Sequence, residues 1–331
     1  MNETTAPRRT LNRRAVLGGA LGGTLTLAGT GAWAANRFLI EHVEVTGASA
    51  RYDTGATATG STATPASPSS ASSETTASST ATTTATSYSG GSGQISLRKV
   101  EQGTGTAKVT SFVADVTLAT GTSLRSAFAK DTFGTNVIEV PSVMAARSNA
   151  ILAVNGDYYG FRSTGIEIRN GAAFRDKGAR QGAAIYRDGT MRLYDETATS
   201  AAKLIADGVW HTLSFGPGLV DAGQVIAGID KVEIDTNVGN HSIQGNQPRT
   251  AIGWVSTNHY VLVVVDGRST GYSRGVTMPE LATMMQGLGC QVAYNLDGGG
   301  SSAMYFNGDI VNKPQGNDNE RGTSDILLLG K

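Results

Sequence analysis

Apolar and polar residues alternate along 95–100 and again along 108–117, the period-two pattern of strands that bury one face. Residues 150–154 and 260–265 are apolar without a break, the second stretch intensely β-branched, and both read as buried strands. Two shorter stretches, 183–186 and 191–194, flank Arg187-Asp188-Gly189-Thr190, a sequence suited to a hairpin turn. Helical signals stand out in two places. Residues 140–147 carry Pro141 in what would be a first turn. From Met278 to about Leu288, Thr277 supplies an N-cap, Glu280 completes a capping box and Gly289 supplies the stop. Many strands with few helices predict an α+β fold: a mixed β-sheet core with a few helices, in a single domain spanning 94–331.

The rest of the chain shows neither period. Arg8, Arg9, Arg13 and Arg14 precede an uncharged run, 15–35, rich in Gly, Ala, Leu and Thr. Asn12-Arg13-Arg14-Ala15-Val16-Leu17 resembles a twin-arginine export signal, and Ala32-Trp33-Ala34 offers a small-x-small cleavage site. Uncleaved, the same segment would serve as an anchor, since about 20 apolar residues span a bilayer. Residues 1–35 therefore read as a signal or signal anchor. The expected location is extracytoplasmic, with the protein secreted or held at the cell membrane by this segment. Residues 36–53 form a short membrane-proximal piece, too small to fold alone. Residues 54–93 are dominated by Ser, Thr and Ala, which cannot bury enough surface to offset their ordering entropy, and read as a disordered stalk.

Composition narrows the chemistry. The 27 basic and 27 acidic residues cancel, which removes any electrostatic basis for nucleic-acid binding. A single cysteine, Cys290, excludes an intramolecular disulfide, and its apolar surroundings suit packing rather than nucleophilic attack. His42, His211, His241 and His259 show no HxxxH spacing, so a histidine-rich zinc site is not expected.

Polar residues with chemical potential collect at strand ends. Asn155 and Asp157 follow the 150–154 stretch, Asp266 follows 260–265, and Arg249 precedes the apolar Ala251-Ile252. Asn295-Leu296-Asp297-Gly298-Gly299-Gly300-Ser301-Ser302 follows a short apolar stretch, 292–294. Consecutive glycines allow close backbone approach, so the amides of Gly298, Gly299, Gly300 and Ser301 would form a concave anion site beside Asp297. The plain alternative is a glycine-rich hairpin whose Asp caps its own backbone. Arg249 offers the planar fork that suits a phosphate or carboxylate, whereas Arg268 reads as structural or peripheral. Asp157, Asp266 and Asp297 are oxygen donors of the kind that hold Ca²⁺ or Mg²⁺, although their spacing does not require a metal and no cofactor is demanded.

These motifs fall in the order found in one family. Asn155-Gly156, Phe215-Gly216-Pro217, Pro248 to Gly253, Asp266-Gly267-Arg268, Ser273 to Ala282 and Asn295 to Ser302 resemble the phosphodiester glycosidase family, and Asn307-Gly308, Pro314 and Arg321 continue the match. The resemblance covers 94–330. It implies hydrolysis of the glycosidic C–O bond of sugar-1-phosphodiesters in envelope or extracellular glycans, without naming the sugar. It makes Asp297 the carboxylate at the sugar, as nucleophile, base or electrostatic stabiliser, with Asp266 assisting. Arg249 and the glycine amides would take the phosphate, and Asn155 would bind a hydroxyl or the phosphate. Asp157, where the family also accepts glycine, would lie in the substrate site without being the catalyst. The implied partners are a sugar-1-phosphodiester or phosphorylated glycan, and the cell envelope through the N-terminal segment. A non-catalytic module binding phosphate-bearing wall glycans is the alternative, and a phosphodiesterase breaking P–O a third. A 6 % aromatic content disfavours the first of these, and the lack of a His/Asp metal cluster the second.

Overall fold

The computed structural model describes residues 40–52, 81–234 and 242–331. The chain divides into two units, Met1–His42 and Val43–Lys331, and all of the first except 40–42 lies outside the described residues. The twin-arginine motif and the apolar run at 15–35 are therefore outside them too.

Among the described residues of the second unit, ten of the strands and three helices frame the site. They are β1 (Gly93–Gln102), β2 (Val109–Leu118), β3 (Arg125–Phe128), β4 (Ala150–Asn155), β5 (Gly218–Asp221), β6 (Arg249–Ser256), β7 (His259–Val265), β8 (Val292–Asn295), β9 (Met304–Phe306) and β10 (Asp325–Gly330). The helices are α1 (Pro141–Arg147), α2 (Ala201–Ala206) and α3 (Met278–Gly287). A nine-stranded sheet runs Gln224–Val225, β5, β8, β6, β7, β2, β1, Ser87–Gly90, Thr82–Thr83. A five-stranded sheet runs Asp309–Ile310, β9, β4, β10, β3. The class is α+β as expected. All pairings in these two sheets are antiparallel, so the sheets are not mixed.

Side-chain alternation explains the layering. On β7, Tyr260, Leu262 and Val264 enter a core shared with Leu152 and Val154 of β4 and Leu327 and Leu329 of β10. Val261, Val263 and Val265 face the other way, onto Leu281, Ala282 and Met285 of α3. A strand covered on both faces reads as an unbroken apolar run, which is what 260–265 is. Met144 and Ala145 of α1 close the outer face of the five-stranded sheet over Ile326 and Leu328. The order of layers is helix, sheet, sheet, helix. The capping box of α3 forms as predicted: Glu280 N–H donates to Thr277 Oγ1 at 3.3 Å and Thr277 N–H to Glu280 Oε2 at 2.8 Å. The predicted hairpin pairs Gln181–Tyr186 with Met191–Asp195.

Three expectations change at the N-terminal side. Ser87–Gly90 pairs with β1, Thr82–Thr83 pairs with Ser87–Gly90, and Tyr88 is buried, so part of the expected stalk is the edge of the sheet. Threonine and tyrosine suit an edge strand even where the composition looks like linker. Within the expected membrane-proximal piece, Ala48 is buried and the Tyr52 ring packs 6.4 Å from Phe128 and 6.3 Å from Phe174. The expected membrane anchor is not supported: among the described residues no helix is long and apolar enough to cross a membrane. The placement at the membrane that rested on it has no support from the described residues either.

Candidate active site

Antiparallel register brings three loops to one end of the larger sheet. Arg249, the first residue of β6, lies opposite Val265 at the end of β7, and Ala251 lies opposite Asn295 at the end of β8. The loops then pack backbone to backbone. A Cβ on Gly298 would stand 2.9 Å from the Pro248 carbonyl oxygen, and one on Gly267 2.8 Å from Pro248 N. Only glycine permits that approach. The loops enclose a cleft of about 310 Å³, lined by Asp297, Gly298, Gly299, Gly300, Arg249, Arg268 and Arg321, with Gln247, Ser242, Tyr158, Phe215, Ile234 and Ile243 completing its wall.

Asp297 is the carboxylate of this cleft among the described residues. It is half-buried, and Gly298 N–H donates to its Oδ1 at 2.8 Å. Enclosure by the protein pushes the carboxyl up to about 6, against the Ser301 hydroxyl, Arg321 and the Gly298 N–H, each of which favours the ionised form. The group therefore gains and loses its proton near neutral pH.

Two guanidinium groups line the cleft with it, both held by neutral oxygens. Arg249, 3 % exposed, donates from Nε to Val276 O at 3.1 Å and from Nη2 to Ile243 O at 2.5 Å and Gly245 O at 2.9 Å. Burial and the neighbouring Arg268 push its proton affinity down to about 10, which leaves it a cation at neutral pH. Arg268 donates from Nε and Nη2 to Gln247 Oε1 at 2.9 and 2.7 Å. Adjacent cations fixed by uncharged acceptors form a ready site for an anion such as phosphate.

The other predicted residues are placed behind the cleft. Asn155 is buried; its Nδ2 donates to the Asp297 carbonyl at 2.7 Å, and its Oδ1 accepts from Thr250 Oγ1 at 2.7 Å and Ala303 N at 3.2 Å. It clips the glycine loop in place and does not face the cleft. Asp266 accepts from Asn312 Nδ2 at 2.8 Å, Tyr272 OH at 2.8 Å and Lys313 N at 3.0 Å, fastening the loop that follows β7 to the segment after β9. Asp157 accepts from Tyr158 N at 2.7 Å, Arg162 Nη2 at 2.9 Å and Ser214 N at 2.5 Å. These three placements share one cause: each side chain already has its full set of internal partners. The three acids do not converge, and among the described residues no group of His, Cys, Asp and Glu is placed to share a metal ion.

The glycine amides also differ from expectation. Gly298 N–H points to Asp297, Gly299 N–H to Pro248 O at 2.9 Å, and Ser301 N–H to Gly298 O at 3.1 Å. Three of the four expected anion donors are thus occupied, and the positive charge of the cleft comes from arginine. Arg268, read as peripheral, lines the cleft because the Asp266-Gly267-Arg268 turn bends back, with Arg268 at φ 59°. Arg321, noted in the sequence only as part of the family match and given no role there, comes from a distant loop that no hydropathy pattern announces. Tyr158, packed edge-on to Phe215 with centroids 6.0 Å apart, gives the cleft an aromatic wall.

The profile described as phosphodiester glycosidase matches residues 148–329, the stretch that supplies Asp297 and all three arginines. The chain belongs to the phosphodiester glycosidase family. The chain is 31 % identical over 206 residues to the SPbeta prophage-derived uncharacterized protein YomE of Bacillus subtilis (strain 168), a match over 60 % of this chain and 30 % of that protein. The chain therefore spans less than a third of that relative. Among solved structures, it is similar to the zebrafish N-acetylglucosamine-1-phosphodiester alpha-N-acetylglucosaminidase catalytic domain auto-inhibited by its pro-peptide. That likeness has a TM-score of 0.57 and 21 % identity, over 72 % of this chain and 83 % of that one. A hypothetical protein from Synechocystis is similar at a TM-score of 0.52 and 14 % identity, over 71 % and 62 %. Both share the fold. Membership of the family supports a hydrolase of the glycosidase type.

Proposed function

We propose that the protein hydrolyses the C–O bond joining the anomeric carbon of a sugar to a phosphodiester. The observation that carries this reading is the meeting of one carboxylate, Asp297, with Arg249, Arg268 and Arg321 in a single cleft. The substrate class is that named for the zebrafish structure, a sugar 1-phosphodiester, and the sugar itself stays open.

On this reading Arg249 and Arg268 hold the phosphate, and the sugar lies toward Asp297 and Tyr158. Ionised Asp297 takes a proton from a water that attacks the anomeric carbon. The C1–O bond breaks, and its electron pair stays on the phosphate oxygen. The leaving group is a phosphomonoester whose second pKa is about 6, so it departs as an anion without a separate acid. This explains how one carboxylate suffices where glycosidases ordinarily need two. Single displacement inverts the anomeric configuration. The arginines act by stabilising charge that grows on the leaving phosphate.

The test is turnover of a panel of sugar-1-phosphodiesters by the full chain, followed by phosphorus NMR with and without chelator. Free sugar with an intact phosphomonoester, unchanged by chelator, is the expected result. Sugar-1-phosphate would mean P–O cleavage, and binding without turnover would mean a glycan-binding module; either outcome overturns the proposal.

A further inference from the structure

Arg321 reaches the cleft from a segment that has little apolar anchorage of its own: 316–321 is exposed or half-exposed throughout. Its neighbours on both sides are nevertheless fixed. Glu320 accepts from Ser142 N at 2.8 Å through Oε1 and from the Ser142 hydroxyl through Oε2. Ser142 sits in the first turn of α1, whose Met144 and Ala145 are locked into the core. After Arg321, Gly322 lies so close to Ile138 that an added Cβ would stand 3.1 Å from its Cδ1. Thr323 then exchanges backbone hydrogen bonds with Glu139, at 2.9 and 3.1 Å.

We propose that Glu320 is a positioning residue, whose two bonds to the start of α1 hold the Arg321 guanidinium in the cleft beside Asp297. Its catalytic consequence rests on the function proposed above; its structural consequence does not. The groups that bear on Asp297 are the Ser301 hydroxyl, the Gly298 N–H, Asp157 behind it, Arg321, and Arg249 and Arg268 in the cleft wall. Release of Glu320 withdraws one cation from this set. Asp297 then holds its proton to higher pH.

Carbon-13 NMR titration of the Asp297 carboxyl, assigned by its loss in Asp297→Asn, tests this without any substrate. Glu320→Ala and Arg321→Gln are each expected to raise the titration midpoint by about 0.5 to 1 pH unit, the size of a single nearby charge at a partly hydrated site. In the double variant the midpoint should move no further than in Arg321→Gln alone. Ser142→Ala, which keeps the backbone donor, should give a smaller shift in the same direction and covers the case in which Glu320→Ala fails to fold. An unchanged midpoint in folded Glu320→Ala or Ser142→Ala would overturn the proposal. So would an equal further shift when Glu320→Ala is added to Arg321→Gln. Absence of turnover in the unaltered protein would defeat the glycosidase reading and leave this titration standing.

Discussion

Two groups of arginines and acids lie a few residues apart in this fold, and they are built on opposite terms. Behind the cleft, Arg162 meets Asp157 at 2.9 Å, and Arg169 meets Asp325 at 2.8 Å and Glu167 at 3.1 Å, with all five residues buried. There each guanidinium meets a carboxylate, and burial together with the like charge of Asp157 pushes Glu167 up to about 8 despite Arg169, Arg162 and Arg175, so it keeps its proton at neutral pH. In the cleft, Arg249 and Arg268 are held by carbonyl and amide oxygens, and Asp297 leans on a backbone N–H and a hydroxyl. The first group is neutralised internally and fastens β4 and β10 to the neighbouring strands. Among the described residues, the second retains a cationic excess, which suits it to an anionic ligand. Saturation of charge, rather than the presence of charge, separates the structural cluster from the functional one.

The largest effect should come from the cleft's acid. Asp297→Asn should lower kcat by about 10³-fold or more, within the range for loss of a general base. It should also stabilise the fold. The folded protein holds the Asp297 carboxyl at about 6 against 3.8 for the ordinary group, so ionisation opposes folding above pH 6. The variant's gain, on the order of 1–2 kcal/mol after allowing for partial hydration, should be full at pH 8 and vanish below pH 4. Urea melts at the two pH values check the sign. Breaking the buried cluster should do the reverse: Arg169→Met leaves the buried Asp325 carboxylate without its cation and should cost about 3–5 kcal/mol. A melting temperature within a few degrees of the unaltered protein would contradict the contrast. Arg268→Gln touches an exposed side chain and should change stability by less than about 0.5 kcal/mol. Its kcat/KM for a sugar-1-phosphodiester should nevertheless fall about 10- to 100-fold, since one donor to the leaving phosphate is lost. Smallest per step is the pH dependence. Activity should fall about tenfold per unit below pH 6 as Asp297 takes up its proton, and stay level just above it.

The contrast also explains what the sequence reveals and what it hides. The 260–265 run, the Thr277/Glu280 capping box and the 183–194 hairpin are local patterns, and local patterns survive folding. The glycine octet is legible for the same reason, because close backbone approach leaves glycine at fixed positions. The partners of a side chain are not local. Asn155, Asp157 and Asp266 carry the right chemistry at the right strand ends, yet each finds its acceptors or donors dozens of residues away. Arg268 and Arg321 enter the cleft through a left-handed turn and a pinned loop, neither of which a hydropathy pattern encodes. The polar edge strand at Ser87–Gly90 was hidden by composition, since serine-rich sequence serves both linkers and sheet edges.

The claim on which the account rests is that the bond broken lies on the sugar side of the bridging oxygen. Turnover of a sugar-1-phosphodiester in ¹⁸O-enriched water, read by the isotope shift of the phosphorus resonance, addresses it directly. The account predicts a phosphomonoester free of the heavy isotope, because water attacks carbon and the bridging oxygen stays with phosphorus. Label in the phosphomonoester would place the attack at phosphorus and contradict the assignment of Asp297 to the anomeric carbon.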